Sequence, residues 1–230
     1  MEKVRAERAR LKKGAATYPY ESFTDWLRDA AGVITVPVAR FLARLGFHPD
    51  TLTLLGTLLN VGVAALLGMG YLSLGGWMLV LVAPLDALDG ALARVVGRRD
   101  RFGAFLDSTM DRVAEAALLA GLAAHYFRQG AMAEVVLAFI ALAGANLVSY
   151  TRARAEGLGV SCKIGLLTRV ERIAVLVVGL ILGLPRAALW ILAVGSVATA
   201  VQRILYVRRR MQEREARTLE GERAGTAVSQ

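Results

Sequence analysis

Between residues 51 and 209 the sequence is a near-continuous succession of apolar segments, and this bounds the fold before any motif is read. Six of them, at 51–70, 74–96, 102–126, 131–155, 169–184 and 187–209, come near the ~20 residues an α-helix needs to cross bilayer hydrocarbon. The chain is 56% hydrophobic with a mean hydropathy of +0.49, which separates it from ordinary soluble domains. Aromatic residues are scarce, whereas Leu, Ala, Val and Gly abound, and small residues let membrane helices approach closely. The expected fold is an all-α polytopic membrane protein with six transmembrane helices. The fifth segment, Arg169 to Leu184 ahead of Pro185, is the shortest.

The flanks differ in character. Residues 1–17 form a charged arm, and 18–48 read as an interfacial amphipathic helix region. There Phe23, Trp26, Leu27, Ala30, Val33 and Ile34 alternate with Asp25, Arg28 and Asp29, and Arg40 and Arg44 interrupt the apolar run that follows. The break at His48-Pro49-Asp50 opens the six-helix region, 49–210, in which Asp50 or Thr51 is placed to cap the first helix. Residues 211–230 are a charged tail, able to extend the last helix as a solvated face. The N-terminus is basic and polar, without the short apolar core of a cleavable secretory signal. The single cysteine, Cys162, excludes an intrachain disulfide framework.

A net charge of +9 raises the question of nucleic acid, but the basic residues cluster at the ends of apolar segments, so anionic membrane lipid is the partner. Arg98, Arg99 and Arg101 fill one connection, Arg152, Arg154, Lys163, Arg169 and Arg172 another, and Arg208, Arg209 and Arg210 begin the tail. The opposite loops are nearly bare. The positive-inside rule then places both termini in the cytoplasm, with Tyr71, Trp77 and Trp190 near the outer ends.

Four aspartates and an arginine lie inside this apolar pattern, in the run LDALDGALARVVGRRDRFGAFLDSTMD that begins at Leu85. A charged residue at the centre of a membrane helix costs at least ~2.5–3.5 kcal/mol, so four carboxylates need a compensating partner. A hard divalent cation with oxygen ligands is the obvious one. Asp86 and Asp89 are spaced i, i+3 and Asp107 and Asp111 i, i+4, so each pair shares one helical face. Two antiparallel helices joined by a short loop can aim all four at one cavity near the cytoplasmic side. Gly90 and Gly103 leave room there for a ligand or a facing helix. Four carboxylates suffice for two cations, and a two-metal clamp suits displacement at phosphorus, with the least engaged carboxylate as general base.

The spacing Asp86-x-x-Asp89-Gly90-x-x-Ala93-Arg94, eight residues, then Gly103-x-x-x-Asp107-x-x-x-Asp111 resembles the signature of the CDP-alcohol phosphotransferase family at every fixed position. The resemblance extends to the six-span plan and the preceding interfacial helix. It implies an enzyme that transfers a phosphatidyl group from a CDP-linked lipid such as CDP-diacylglycerol to an alcohol, releasing CMP. By the same resemblance Asp86, Asp89 and Asp107 bind a pair of Mg²⁺ or Mn²⁺ ions. Asp111 touches a metal and deprotonates the acceptor. Gly90 and Arg94, with Asp89, contact the donor diphosphate, and Asp50 and Thr53 line the nucleotide site. The family is commonly homodimeric. One position departs: Asp100 stands where relatives often have Ser or Thr, three residues before the second glycine.

A second basic cluster bears on the acceptor. Arg152 and Arg154 close the fourth segment, Arg169 and Arg172 open the fifth, and Arg203 lies inside the sixth, more than a turn before the terminal basic run. Guanidinium groups bind phosphate through paired hydrogen bonds, so this cluster points to an acceptor carrying its own phosphate. The pattern is similar to family members that use inositol 1-phosphate to make phosphatidylinositol phosphate. Members that use glycerol 3-phosphate to make phosphatidylglycerophosphate are the alternative. A divalent-cation transporter would account for the aspartates but not for the Asp-Gly-x-x-Ala-Arg run or the second arginine cluster. A membrane prenyltransferase would space its acidic motifs differently.

Overall fold

The computed structural model describes residues 35–97 and 101–228, with side chains through residue 216. The N-terminal arm, the part of the amphipathic region before residue 35, and Arg98, Arg99 and Asp100 lie outside the described residues. Within them the fold is entirely helical. A helical stretch at 35–44 precedes seven helices: α1 (Pro49–Met69), α2 (Leu72–Val82), α3 (Pro84–Val95), α4 (Arg101–Arg128), α5 (Met132–Gly157), α6 (Arg169–Ile181) and α7 (Pro185–Val228).

Local sequence explains the boundaries. His48 is extended and Pro49 opens α1, where its missing N–H costs nothing. Gly70, at φ 101°, ends α1 in the left-handed conformation that side chains resist, and the Tyr71 N–H then reaches back to the Leu66 carbonyl at 3.0 Å. The segment expected to cross at 74–96 is two helices, because Pro84 withholds a backbone donor from the middle of it. Ala83 keeps a helical conformation at the junction, so the chain shifts course without turning back. The interruption puts Asp86 in the first turn of α3, where the helix dipole favours a carboxylate. At the other end, α7 continues far beyond residue 209. The tail from Arg208 is rich in Arg, Glu, Gln and Met, all strong helix formers.

Three helices, α1, α5 and α7, are long and apolar enough to cross a membrane. The others fall short for identifiable reasons. Pro84 divides α2 from α3, α6 has 13 residues, and α4 carries the charged residues Asp107, Asp111, Arg112 and Glu115. Leu58, Leu81, Phe139 and Val194 lie exposed on the outside of the bundle, an apolar surface suited to lipid. Tyr71, Trp77 and Trp190 are exposed as well.

The main core is built from Leu67, Leu79, Leu118, Leu122, Leu180 and Leu189. A smaller cluster of Ala39, Leu52, Ala91 and Leu92 seats residues 35–44 against α1 and α3. The main pairings are α1 on α4 and α5 on α7, and glycine sets the distance in both. A Cβ on Gly121 would come within 2.3 Å of the Ala64 carbonyl oxygen, and one on Gly144 within 2.8 Å of Ser196 Cβ. The first obstacle is backbone and cannot rotate away. Gly121→Val is expected to cost about 1–3 kcal/mol by overpacking and to lower the thermal midpoint in detergent. An unchanged midpoint would show that the crossing can open freely. This pairing matters for function because α1 and α4 both carry side chains of the site described next.

Candidate active site

α3 and α4 bring the four aspartates to one end of the bundle, as the i, i+3 and i, i+4 spacings predict. Asp89 is almost fully buried and accepts a 2.8 Å hydrogen bond from Thr53 Oγ1 on α1. That bond fixes α1 against α3 at the acidic cluster. Asp86 lies beside Gly56, where an added Cβ would be 3.7 Å from Asp86 Oδ1. On α4, Asp107 and Asp111 are joined by Glu115 one further turn on, so three carboxylates follow one helical face.

Two cavities flank this face. The larger, about 440 Å³, is lined by Asp50, Thr53, Asp89, Gly90, Arg101 and Asp107 among others. The smaller, about 160 Å³, is lined by Asp111, Arg152, Thr168, Arg169, Arg172 and Arg203 among others. Asp107 therefore faces one cavity and Asp111, a single turn away, faces the other.

The arginines have distinct local roles. Arg172 is buried and bidentate with Glu115, at 2.6 and 2.8 Å, and donates a third hydrogen bond to the Leu167 carbonyl. Arg203, 3% exposed inside the apolar part of α7, donates to the carbonyls of Ile164 and Val148. Those bonds tie the 158–168 loop and α5 to α7. Arg152 is exposed and pairs with Glu156 at 2.9 Å. Arg169 spans the two groups: one guanidinium nitrogen, Nη2, lies 2.6 Å from Asp86 Oδ2 and 2.8 Å from Asp111 Oδ1.

Four of the five arginines singled out in the sequence thus converge on the smaller cavity. Arg154 does not line it. Two residues past Arg152 on a helix, it points to another side and is exposed. Arg94 is exposed next to Gly90 at the end of α3, outside the lining of the larger cavity. Glu115 and Arg101 were not anticipated. Glu115 was legible as the next residue in the Asp107, Asp111 register, and Arg101 only as one of a run of loop arginines.

The carboxylates supply hard oxygen donors of the kind divalent cations prefer. Among the described residues, however, no three of them form a ready-made metal cluster. The guanidinium of Arg169 sits between Asp86 and Asp111, so positive charge occupies that gap. The donor set fits a cation, and the gap attracts one.

A model of the CDP-alcohol phosphatidyltransferase family matches residues 46–202, from just before α1 to partway along α7. The chain belongs to the CDP-alcohol phosphatidyltransferase family. It is 42% identical over 190 residues to a phosphatidylinositol phosphate synthase of Mycobacteroides abscessus, covering 79% of this chain and 86% of that protein. It is 35% identical over 176 residues to an archaetidylinositol phosphate synthase of Pyrococcus horikoshii, covering 76% and 91%. The crystal structure of Mycobacterium tuberculosis phosphatidylinositol phosphate synthase with CDP-DAG bound superposes with a TM-score of 0.72 at 37% identity, covering 76% of this chain and 93% of that one. The same enzyme in complex with manganese and citrate gives 0.69 at 36% identity, covering 75% and 88%. As a CDP-alcohol phosphatidyltransferase, this chain is a membrane-bound transferase of phospholipid synthesis, in a family that works with Mg²⁺ or Mn²⁺.

Proposed function

We propose that this phosphatidyltransferase moves the phosphatidyl group of CDP-diacylglycerol to inositol 1-phosphate, releasing CMP and forming phosphatidylinositol phosphate. One observation carries the reading: successive turns of α4 place Asp107 in an acidic cavity and Asp111 in an adjoining arginine-lined one. Donor diphosphate and acceptor phosphate are both anions: cations held by the carboxylates would supply positive charge to the first and the arginines to the second, and here the two would meet across one helical turn. The inositol phosphate specificity named for the relatives in Mycobacteroides and Pyrococcus supports the choice of acceptor.

Asp86, Asp89, Asp107 and Asp111 would hold the Mg²⁺ or Mn²⁺, two ions, whose charge neutralises the diphosphate and the departing CMP. Asp50, Thr53 and Arg94 serve the nucleotide end of the donor, and Gly90 keeps its side of the cavity clear for the diphosphate. Arg152, Arg169, Arg172 and Arg203 supply positive charge for the acceptor phosphate, with Arg154 at the approach to them. Glu115 keeps Arg172 in one orientation. Asp111 takes the proton from the acceptor hydroxyl. The freed oxygen bonds to the lipid-side phosphorus, and the bond from that phosphorus to CMP breaks.

In the membrane we read α1, α2 with α3, α4, α5, α6 and α7 as six passes. Residues 35–48 lie along the interface, and both termini and the site face the cytoplasm. The donor then enters sideways from the bilayer and the acceptor from water. A homodimer, as the family resemblance implies, leaves each protomer with its own site. The test is product identity in proteoliposomes containing CDP-diacylglycerol and Mg²⁺, with inositol 1-phosphate, glycerol 3-phosphate, free inositol or serine added singly. Phosphatidylinositol phosphate should dominate by mass spectrometry. Phosphatidylglycerophosphate as the main product would keep the mechanism and replace the acceptor. Equal use of free inositol would contradict a role for the arginine cavity.

A further inference from the structure

Between α5 and α6, residues 158–168 form no helix, and they deliver Thr168 and Arg169 to the arginine-lined cavity. Backbone outside regular structure needs partners elsewhere, and side chains of α6 and α7 supply them. Arg214 donates to the Gly159 carbonyl at 2.7 Å, Arg203 to that of Ile164 at 2.8 Å and Arg172 to that of Leu167 at 3.1 Å. The fourth anchor is Thr199 on α7, whose Oγ1 accepts a 3.0 Å hydrogen bond from the Leu167 N–H. Of these four side chains, Thr199 alone is uncharged.

Thr199 is fully buried, and its hydroxyl also donates to the Gly195 carbonyl at 2.7 Å. A hydroxyl has one proton to give, so the bond to Gly195 leaves the lone pairs of Oγ1 for the Leu167 N–H. Leu167 is seated on α7 by its side chain as well, in the space that a side chain on Gly195 would need. Gly165 lets the threonine methyl come close, since a Cβ there would lie 2.9 Å from Thr199 Cγ2. Thr199 therefore grips the loop one residue before Thr168 and two before Arg169.

We propose that Thr199 is a positioning residue of the acceptor site, acting through the 158–168 loop to fix Thr168 and Arg169 in the cavity. The inference rests on the transferase reading above. Arg172 and Arg203 hold the same loop but also line the cavity, so replacing either removes charge and anchoring together. Among the described residues the cavity wall does not include Thr199, whose contribution is anchoring. With the loop released, the cavity presents its full set of cationic groups for a fraction of the time, and apparent acceptor affinity falls by that fraction. Donor binding, assigned above to the larger cavity, is left as it was, because no described residue of the loop lines it.

Thr199→Val and Thr199→Ser separate this role from packing. Valine keeps the methyl and the volume without the oxygen; serine keeps the oxygen without the methyl that faces Gly165. Both variants and wild-type protein are assayed in liposomes with CDP-diacylglycerol and Mn²⁺, varying whichever of inositol 1-phosphate and glycerol 3-phosphate the wild type uses better. Thermal midpoints are measured in detergent. Thr199→Val should raise the acceptor KM about tenfold, the effect of losing one hydrogen bond whose donor is left unpaired, with kcat and donor KM within about twofold of wild type. Thr199→Ser should keep the acceptor KM near wild type even though its midpoint falls with the lost methyl. Under a merely structural role the KM would follow the midpoint. Hydrogen exchange in peptides spanning 158–168 needs no turnover, and it should quicken in Thr199→Val but not in Thr199→Ser. An unchanged acceptor KM in Thr199→Val would overturn the proposal. So would an equal rise in Thr199→Ser, or a donor KM that rises alongside. Gly195→Ala crowds Leu167 without altering the hydroxyl, and it stands in if Thr199→Val fails to fold: it too should raise the acceptor KM, and a wild-type value there would overturn the proposal. With active wild-type protein these results bear on Thr199 alone; wild-type protein silent with every acceptor removes the transferase reading and this inference together.

Discussion

Asp111→Asn is expected to lower CMP release by about 10²–10⁴-fold, the range over which a positioned general base acts, while leaving CDP-diacylglycerol binding nearly intact. Asparagine matches aspartate in shape but takes no proton, and Asp111 lines the arginine-lined cavity rather than the larger one. The check is a paired measurement of turnover and of donor binding by the same purified protein. Turnover within about threefold of wild type would transfer the base to another residue, and Glu115, one turn further along α4, would be the next to test. Asp107→Asn gives the contrast, since it removes a carboxylate from the larger cavity and should weaken donor and metal binding as well.

The second large effect concerns the pair that supports the site from behind. Arg172 and Glu115 are 3% and 9% exposed and joined by two short hydrogen bonds. Truncating one member of a buried ion pair strands the other charge, at a cost of about 3–5 kcal/mol, whereas replacing both with apolar residues of similar size is often neutral. Glu115→Ala should therefore lower the thermal midpoint sharply and take activity with it. The double change Glu115→Leu with Arg172→Met should recover the midpoint. If Arg172 also serves the acceptor phosphate, the double variant stays deficient, with a raised acceptor KM. Recovery of both stability and acceptor KM would confine the pair to scaffolding.

These two predictions separate what the sequence made legible from what it did not. The acidic cluster was readable because helix periodicity alone puts Asp86 with Asp89 and Asp107 with Asp111, and because carboxylates are expensive in apolar segments. The helical class was readable for the same reason. What could not be read was who pairs with whom across helices. Arg169, Arg172 and Arg203 look alike in sequence as basic residues near segment ends. Only the packing of α6 against its neighbours and the course of the 158–168 loop give one a carboxylate pair, the next a bidentate glutamate and the third two carbonyls. Arg154 illustrates the converse: a basic residue two positions from a cavity arginine that helical rotation carries elsewhere. The split of the second apolar segment was signalled by Pro84, but its consequence for Asp86 follows only from the helix start it creates. The tail, by contrast, reads in sequence as able to extend the last helix, and the helix does continue to Val228.

The central claim is that the aspartates on α3 and α4 serve phosphatidyl transfer to a phosphorylated alcohol, and one measurement confronts it with its rival from another class. Purified protein in sealed liposomes receives CDP-diacylglycerol, inositol 1-phosphate and Mn²⁺, and CMP, product lipid and metal uptake are followed together. CMP and phosphatidylinositol phosphate should appear one for one, with no Mn²⁺ gained by the lumen beyond that of protein-free liposomes. Mn²⁺ accumulating inside while neither CMP nor product lipid forms would contradict the claim and make the acidic cluster a cation path.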